Sequence, residues 1–318
     1  MLPIVYVHLG DKPAPHLIDS MRQSRRMAKG SDIYAILTPN TVVAAAATGA
    51  GAAVIYSNAL SPTPAHKTYM SSVRRRLGKK RGFWRFATER FFFIEELMIK
   101  IGLLSALHLE SDNLIFFDPV EIEEKLHTLY PGMAAPFWND TMCIPGVVYV
   151  GDRSVLAELT AYLARRVSAE RSSLVRWYRP KFLARVRMGL VLNDMNMLAA
   201  FKREYGPEKL NILPMVPPGY DGGRSTVPHT YDYSYGFDEL GMLFDGLAFG
   251  PALGGLDPAH HTADAAEANL RRNSYVNGSA FGYELLDLRD YTVVPRLTYR
   301  GTPIRLASLH NHSKAQIT

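Results

Sequence analysis

The chain has 318 residues and one cysteine, Cys143. A single thiol excludes an internal disulfide framework and any cysteine-based zinc site, fits a reducing compartment, and is expected to be an ordinary buried residue. Long apolar runs are missing too. The most apolar stretch, Thr41 to Tyr56, is short, rich in alanine and interrupted by Gly49 and Gly51, which suits a helix, a turn and a strand better than a membrane span. The N-terminus, Met1 to His8, has no basic segment followed by an apolar one, so no secretory signal is expected. On these grounds the chain reads as cytoplasmic and without a transmembrane segment. Phosphate-loop signatures are absent as well: the glycine-rich stretch Gly241 to Gly255 has neither a Gly-Lys-Ser/Thr ending nor Gly-x-Gly-x-x-Gly spacing. Instead it suits close backbone approach to a substrate. There is no internal repeat and no long low-complexity tract.

With 47% hydrophobic residues, the chain is long enough for one large or two closely joined domains around a substantial core. The formal net charge of +6 is unevenly spread. Residues 67 to 90 hold nine Lys or Arg against one Glu, and the remainder holds 27 basic against 29 acidic residues. This basic island, with Arg74-Arg75-Arg76 and Lys79-Lys80-Arg81, suits a loop near phosphates, an anionic membrane surface or nucleic acid, or a solvated loop without a partner.

The first 120 residues alternate strand and helix patterns. Apolar runs at Ile4–Leu9, Ile33–Leu37 and Ala52–Tyr56 are separated by helical patterns at Pro15–Ala28 and Asn40–Thr48. That is the βαβαβ order of a parallel sheet covered by helices. Phe83 to Ile101 carries apolar residues at helical spacing, with Arg85 and Arg90 in the half from which a side chain reaches toward a phosphate. Pro145–Val150 reads as a strand, Arg153–Val167 as a helix, and Met195–Tyr205 as a helix capped by Asn193 or Asp194. The Pro- and Gly-rich stretch Pro214 to His229 reads as a long loop over a site. No linker separates the halves, so residues 1–118 and 119–318 are expected to share one continuous sheet.

The chemistry concentrates in Ser105 to Phe117, where an apolar run ends in Glu110-Ser111-Asp112 and then turns apolar again. Thirty acidic residues in 318 give about three acid-x-acid triplets by chance. This one stands out because Leu107 and Leu109 precede it and Leu114 to Phe117 follow it. Two carboxylates where two buried strands meet are costly unless a ligand compensates them. In extended backbone, residues i and i+2 share a face, so Glu110 and Asp112 are candidate ligands for a hard cation, Mg²⁺ or Mn²⁺, beyond the carboxyl end of a strand. The tail Arg305 to Lys314 holds His310 and His312 at i and i+2, followed by Lys314. Imidazole completes Mn²⁺ coordination, and lysine neutralises a diphosphate.

Taken together these residues resemble the nucleotide-sugar-dependent glycosyltransferases of the GT-A fold. Glu110-Ser111-Asp112 matches the acid-x-acid metal motif of that superfamily, with Glu in place of the first Asp. His310 or His312 with Lys314 loosely matches its C-terminal metal ligand and following lysine, without the fuller His-x-x-Gly-x-x-Lys pattern. Pro145 to Val150, Asn193 to Asn196 and Phe244 to Pro258 resemble further segments of such enzymes. The resemblance implies an α/β protein with a Rossmann-type mixed sheet flanked by helices in a single compact domain. Residues 1–118 would form its nucleotide-sugar half and 119–318 its acceptor half. It implies Mn²⁺ or Mg²⁺, a nucleotide-diphosphate sugar as donor, and a glycan, lipid-linked or protein hydroxyl as acceptor, with an anionic membrane as a further candidate contact. His8 and Gly10 fall where this fold meets the nucleotide base and ribose; as bare sequence they also read as a strand-end histidine and a turn glycine. If the reaction inverts configuration, Asp194 or Asp245 is the candidate base.

Two rivals are weaker. A nucleotidyltransferase would carry a Gly-rich, Arg-containing loop after the first strand, whereas Leu9 to Pro13 has one glycine and no arginine. A nucleic-acid-binding protein acting through residues 67–90, with Phe83, Trp84 and Phe86 as stacking groups, explains the basic island but leaves the acid pair and the tail without a role.

Overall fold

A computed structural model describes residues 1–10, 15–74, 82–169, 193–221, 229–249, 274–283 and 296–310. Residues 75–81 of the basic island, together with His312 and Lys314, lie outside the described residues.

Most strands and helices begin and end where side chains dictate. β-Branched and aromatic residues form β1 (Ile4–His8), β2 (Ile33–Leu37) and β3 (Ala53–Tyr56). Between them run α1 (Pro15–Met27) and α2 (Thr41–Gly49), the latter started by Asn40, whose side chain accepts from the Val42 and Val43 amides. In α3 (Pro64–Arg74) the Thr63 hydroxyl accepts from His66 N at 3.2 Å, and α4 (Gly82–Ile101) buries Phe91, Phe92, Ile94, Leu97 and Met98. Then come β4 (Ala106–Leu109) and β5 (Asn113–Ile115), and α5 (Pro119–Leu129), which is capped by Asp118 with proline at its first position. Short strands follow at β6 (Met133–Ala135), β7 (Phe137–Asn139), β8 (Met142–Cys143) and β9 (Val147–Val150). The remaining elements are α6 (Arg153–Ala169), α7 (Asp194–Tyr205), β10 (Leu210–Ile212), α8 (Phe237–Leu240), β11 (Met242–Phe244), β12 (Gly282–Tyr283), β13 (Arg296–Tyr299) and β14 (Thr302–His310).

The main sheet has seven strands in the order β10-β6-β9-β4-β1-β2-β3. β1 lies between β2 and β4, parallel to both, and β9 runs antiparallel between β4 and β6. The mixed α/β architecture expected from the sequence is therefore present, and one sheet takes strands from both sides of residue 118. Alternation along the strands sorts side chains into two cores. Val5, Val148 and Val150 pack with α4 and α6, while Ile4, Tyr6, Leu107, Leu109 and Tyr149 pack with α1, α2 and α5. Cys143 is buried and forms no disulfide, its Sγ donating to the Pro136 carbonyl at 3.5 Å. No helix among the described residues is long and apolar enough to cross a membrane.

The second sheet positions the C-terminal histidine. Its order is β11-β14-β13-β12, and β5 also pairs with β14. The β13–β14 hairpin turns through Arg300 and Gly301, both at positive φ, as a two-residue hairpin turn of matching twist requires. From there β14 runs past β11 and ends antiparallel to β5, with His310 opposite Asn113. α1 holds β5 in place: Ser20 Oγ donates to the Asn113 carbonyl, and Gln23 Nε2 to the Ile115 carbonyl at 3.0 Å.

Candidate metal centre

Glu110 and Asp112 sit in the tight turn between β4 and β5, closed by Asn113 N donating to the Glu110 carbonyl at 3.1 Å. They converge because the chain turns, and not through the i, i+2 alternation of an extended strand that the sequence suggested. The Glu110 amide is tied to the Gly146 carbonyl at 2.8 Å, which continues the β4–β9 ladder to the edge of the site. β14 delivers His310 to the same place. One ligand atom from each of Glu110, Asp112 and His310 lies within 4.8 Å of the others, and His310 Nε2 is 3.5 Å from Asp112 Oδ1 and 3.8 Å from Glu110 Oε2. Both acidic side chains are about one-fifth to one-quarter exposed, while His310 is buried, so the cluster is closed behind and open in front. Two carboxylates and one imidazole suit Mn²⁺ or Mg²⁺, and three protein ligands leave positions for phosphate oxygens.

Arg90 lies behind the carboxylates. Its Nη1 donates to Glu110 Oε1, and its Nη2 to Asp194 Oδ2 at 2.6 Å. Glu110 thereby keeps its other oxygen, Oε2, on the side of His310. Asn193 is the residue that caps α7, its Oδ1 accepting from Asn196 N at 2.8 Å, which frees the Asp194 carboxylate for Arg90. Of the two cap residues read from the sequence, the structure uses Asn193.

The charges of the cluster act on one another. Burial disfavours a charged His310, but the carboxylates of Asp112, Glu110 and Asp245 raise its imidazole to about 9. Burial and the neighbouring Asp112 raise the Glu110 carboxyl, while Arg90 and His310 pull it down. Arg90 is held charged by Glu110, Asp194 and Asp112 against the cost of its burial.

Asp245 lies directly under this arrangement. A bulge between Leu243 and Phe244 in β11 turns it inward, and its carboxylate accepts from the amides of Ala248 (2.8 Å), Phe249 (3.1 Å) and His310 (3.0 Å). Burial raises its carboxyl, and those three amides oppose the rise. Asp245 thus grips the backbone of the histidine.

The other sequence candidates lie apart from this cluster or serve neighbours. Arg85 pairs with Glu89 through two hydrogen bonds, at 3.0 and 3.2 Å, so two of the nine cations of the basic island, Arg85 and Arg90, are engaged inside the protein. His8 ends β1, half-buried, its carbonyl accepting from Thr38 N at 3.2 Å, and Gly10 N donates to Thr38 Oγ1 at 3.0 Å. Sequence reading missed a buried cluster of similar composition: His66 between Glu96 (2.6 Å) and Glu89 (3.3 Å). Glu89 and Glu96 repeat at heptad spacing within an apolar helix, which is the signal that marks them.

No protein-family model and no curated protein sequence matches the chain. Among solved structures it is similar to mouse xyloside xylosyltransferase 1 in its apo form, at 12% identity over 67% of this chain and 85% of that one, with a TM-score of 0.39. It is also similar to the galactosyltransferase LgtC in complex with donor and acceptor sugar analogues, at 12% identity over 67% and 73%, TM-score 0.39. A cytidylyltransferase from Leptospira borgpetersenii matches at 11% identity over 59% and 72%, TM-score 0.34. Identities and TM-scores this low carry neither reaction nor substrate to this chain; the solved structures it is similar to include glycosyltransferases and a cytidylyltransferase.

Proposed function

We propose that the protein is a metal-dependent glycosyltransferase that moves a sugar from a nucleotide-diphosphate donor to a hydroxyl acceptor. The observation that carries this reading is the convergence of Glu110, Asp112 and His310 within 4.8 Å, beyond the end of a central strand of an α/β sheet. Bound Mn²⁺ or Mg²⁺ would neutralise the diphosphate as it leaves.

The chain's own residues do the rest by holding and orienting. Glu110, Asp112 and His310 are the ligands. Arg90 fixes Glu110 Oε1 and keeps Oε2 on the open side, and Asp194 fixes Arg90. Asp245 fixes His310 through its backbone amide. With these partners Asp194 and Asp245 act as positioning groups in our reading, which leaves deprotonation of the acceptor to another group or to the leaving diphosphate. His8 and Gly10 would meet the base and ribose, Lys314 would neutralise the diphosphate, and His312 is the alternative to His310 as metal ligand. In this scheme residues 1–118 supply the donor half and 119–318 the acceptor half. The acceptor is a hydroxyl on a glycan, a lipid-linked sugar or a protein, and the basic island would lie toward its anionic surroundings.

A thermal-shift screen against UDP, GDP, CDP, ADP and TDP, each with and without MnCl₂, tests the reading. A ligand of the native state stabilises by about 2.7 kcal/mol at a hundred times its Kd. The expected result is a rise in Tm with one nucleotide that requires Mn²⁺. No rise with any of the five would overturn the proposal and favour a nucleic-acid partner for residues 67–90.

A further inference from the structure

Asn113 is the first residue of β5 and is completely buried, followed by Leu114 and Ile115. Among the described residues neither its Nδ2 nor its Oδ1 has a hydrogen-bond partner. Buried amides are normally satisfied, so an uncommitted one beside a candidate ligand cluster needs a reason. Two observations supply it. In the antiparallel β5–β14 pair Asn113 is directly opposite His310, which puts the two side chains on one face of the ladder with Cβ atoms about 5 Å apart. A methyl group on Gly146 would also stand 2.6 Å from Asn113 Nδ2, 3.0 Å from Asn113 Oδ1 and 2.9 Å from His310 Nδ1. The amide and the Nδ1 edge of the imidazole therefore border one small space, and only a glycine at 146 leaves that space open.

We infer that Asn113 is the positioning residue of His310: across the space that Gly146 leaves, its Oδ1 comes to accept the Nδ1–H when the histidine binds a metal, which holds Nε2 toward Asp112 and Glu110. A histidine ligand is oriented by what its other ring nitrogen meets, and partners of this kind change metal affinity about 10- to 100-fold. Ser20 holds the Asn113 carbonyl and Asp245 the His310 amide, so both backbones are fixed and the side-chain pair sets the ring. The inference rests on the reading of Glu110, Asp112 and His310 as metal ligands.

The test is titration of the full chain with MnCl₂, read by calorimetry, alongside the His310 ring protons in ¹⁵N-histidine-labelled protein. Asn113→Leu should weaken Mn²⁺ binding about tenfold with Tm unchanged or raised, and Asn113→Asp, which keeps an acceptor, should restore it. If the leucine variant does not fold, Asn113→Val carries the same comparison. Wild-type affinity in the leucine or valine variant would overturn the inference. If the wild type itself binds no Mn²⁺, the metal reading fails and the ring protons decide alone. A slowly exchanging His310 Nδ1–H that disappears in the variant supports Asn113 as its acceptor, and an unchanged one overturns it.

Discussion

The protein contains two clusters built from nearly the same parts: two carboxylates, one buried histidine and one arginine. In the first, Glu110 and Asp112 both face the same ring nitrogen of His310, at 3.8 and 3.5 Å, and Arg90 stands behind. In the second, His66 lies between its carboxylates, with Nδ1 on Glu96 and Nε2 on Glu89, and Arg85 closes the outer side. Phe92 stacks on the His66 ring at 5.1 Å, and Phe93 meets it edge-on at 4.9 Å. One set of ligand atoms converges on a point and is open to solvent on one side. The other spends both ring nitrogens on separate partners inside a hydrophobic wall. Composition does not distinguish a binding site from a structural ion pair; the direction of the lone pairs does.

The contrast breaks most sharply under paired substitution. Asp112→Ala should abolish Mn²⁺ binding and lower transfer by at least ~10³-fold while the protein stays folded, because the repulsion it relieves at Glu110 offsets the attraction it loses at His310. Glu96→Gln should do the reverse. Breaking a buried ion pair leaves an uncompensated charge and costs on the order of 3 kcal/mol or more, visible in urea denaturation, while kcat is preserved. Full activity in Asp112→Ala, or an inactive but fully stable Glu96→Gln, would erase the distinction.

A smaller effect sharpens the comparison by pH. Burial disfavours a charged His66, yet Glu89 and Glu96 raise it to about 9, above its ordinary value of 6.5. A group whose folded value is the higher one contributes stability that is fully present below about pH 6.5 and is lost as pH rises through about 9, here on the order of 3 kcal/mol. His310 is raised in the same sense, so wild-type stability alone does not separate the two. The difference in unfolding free energy between wild type and His66→Gln does, and it should shrink steadily between pH 6.5 and 9. A difference that stays flat over that range would mean His66 is not a charged pair.

The sequence disclosed the sheet and half of the site. Continuous apolar runs in the first 60 residues marked β1, β2 and β3, because strands of a sheet packed on both faces are apolar along most of their length. Glu110 and Asp112 were visible because charge amid Leu107, Leu109 and Leu114 to Phe117 is anomalous. Arg90 was visible as a cation that could reach a phosphate, but its partners were not: nothing in a helix reveals that it will meet Glu110 and, 104 residues away, Asp194. Asn113 and Gly146 were silent, since an amide beside an acid looks like part of a turn and a glycine's close contacts exist only after folding. The choice between His310 and His312 depended on register. The β5–β14 ladder puts His310 opposite Asn113, and His312 lies outside the described residues.

Asp245 gives the finest test, because its two assignments differ in kind. As an acceptor-activating base it would need a free carboxylate oxygen facing the substrate. As placed, Oδ1 accepts from Ala248 and Phe249 and Oδ2 from His310, so the group holds a loop and a ligand backbone together. Asp245→Asn keeps one acceptor and turns an NH₂ toward an amide that also donates, so at least one of these bonds is lost. The expected cost is about 1–3 kcal/mol of stability, with transfer falling less than ~10-fold and the pH dependence of kcat unmoved. Loss of the base would instead lower kcat by ~10²–10⁴-fold and remove the acidic limb of the profile. A stable Asp245→Asn variant with that signature would move Asp245 from the wall of the site into its chemistry.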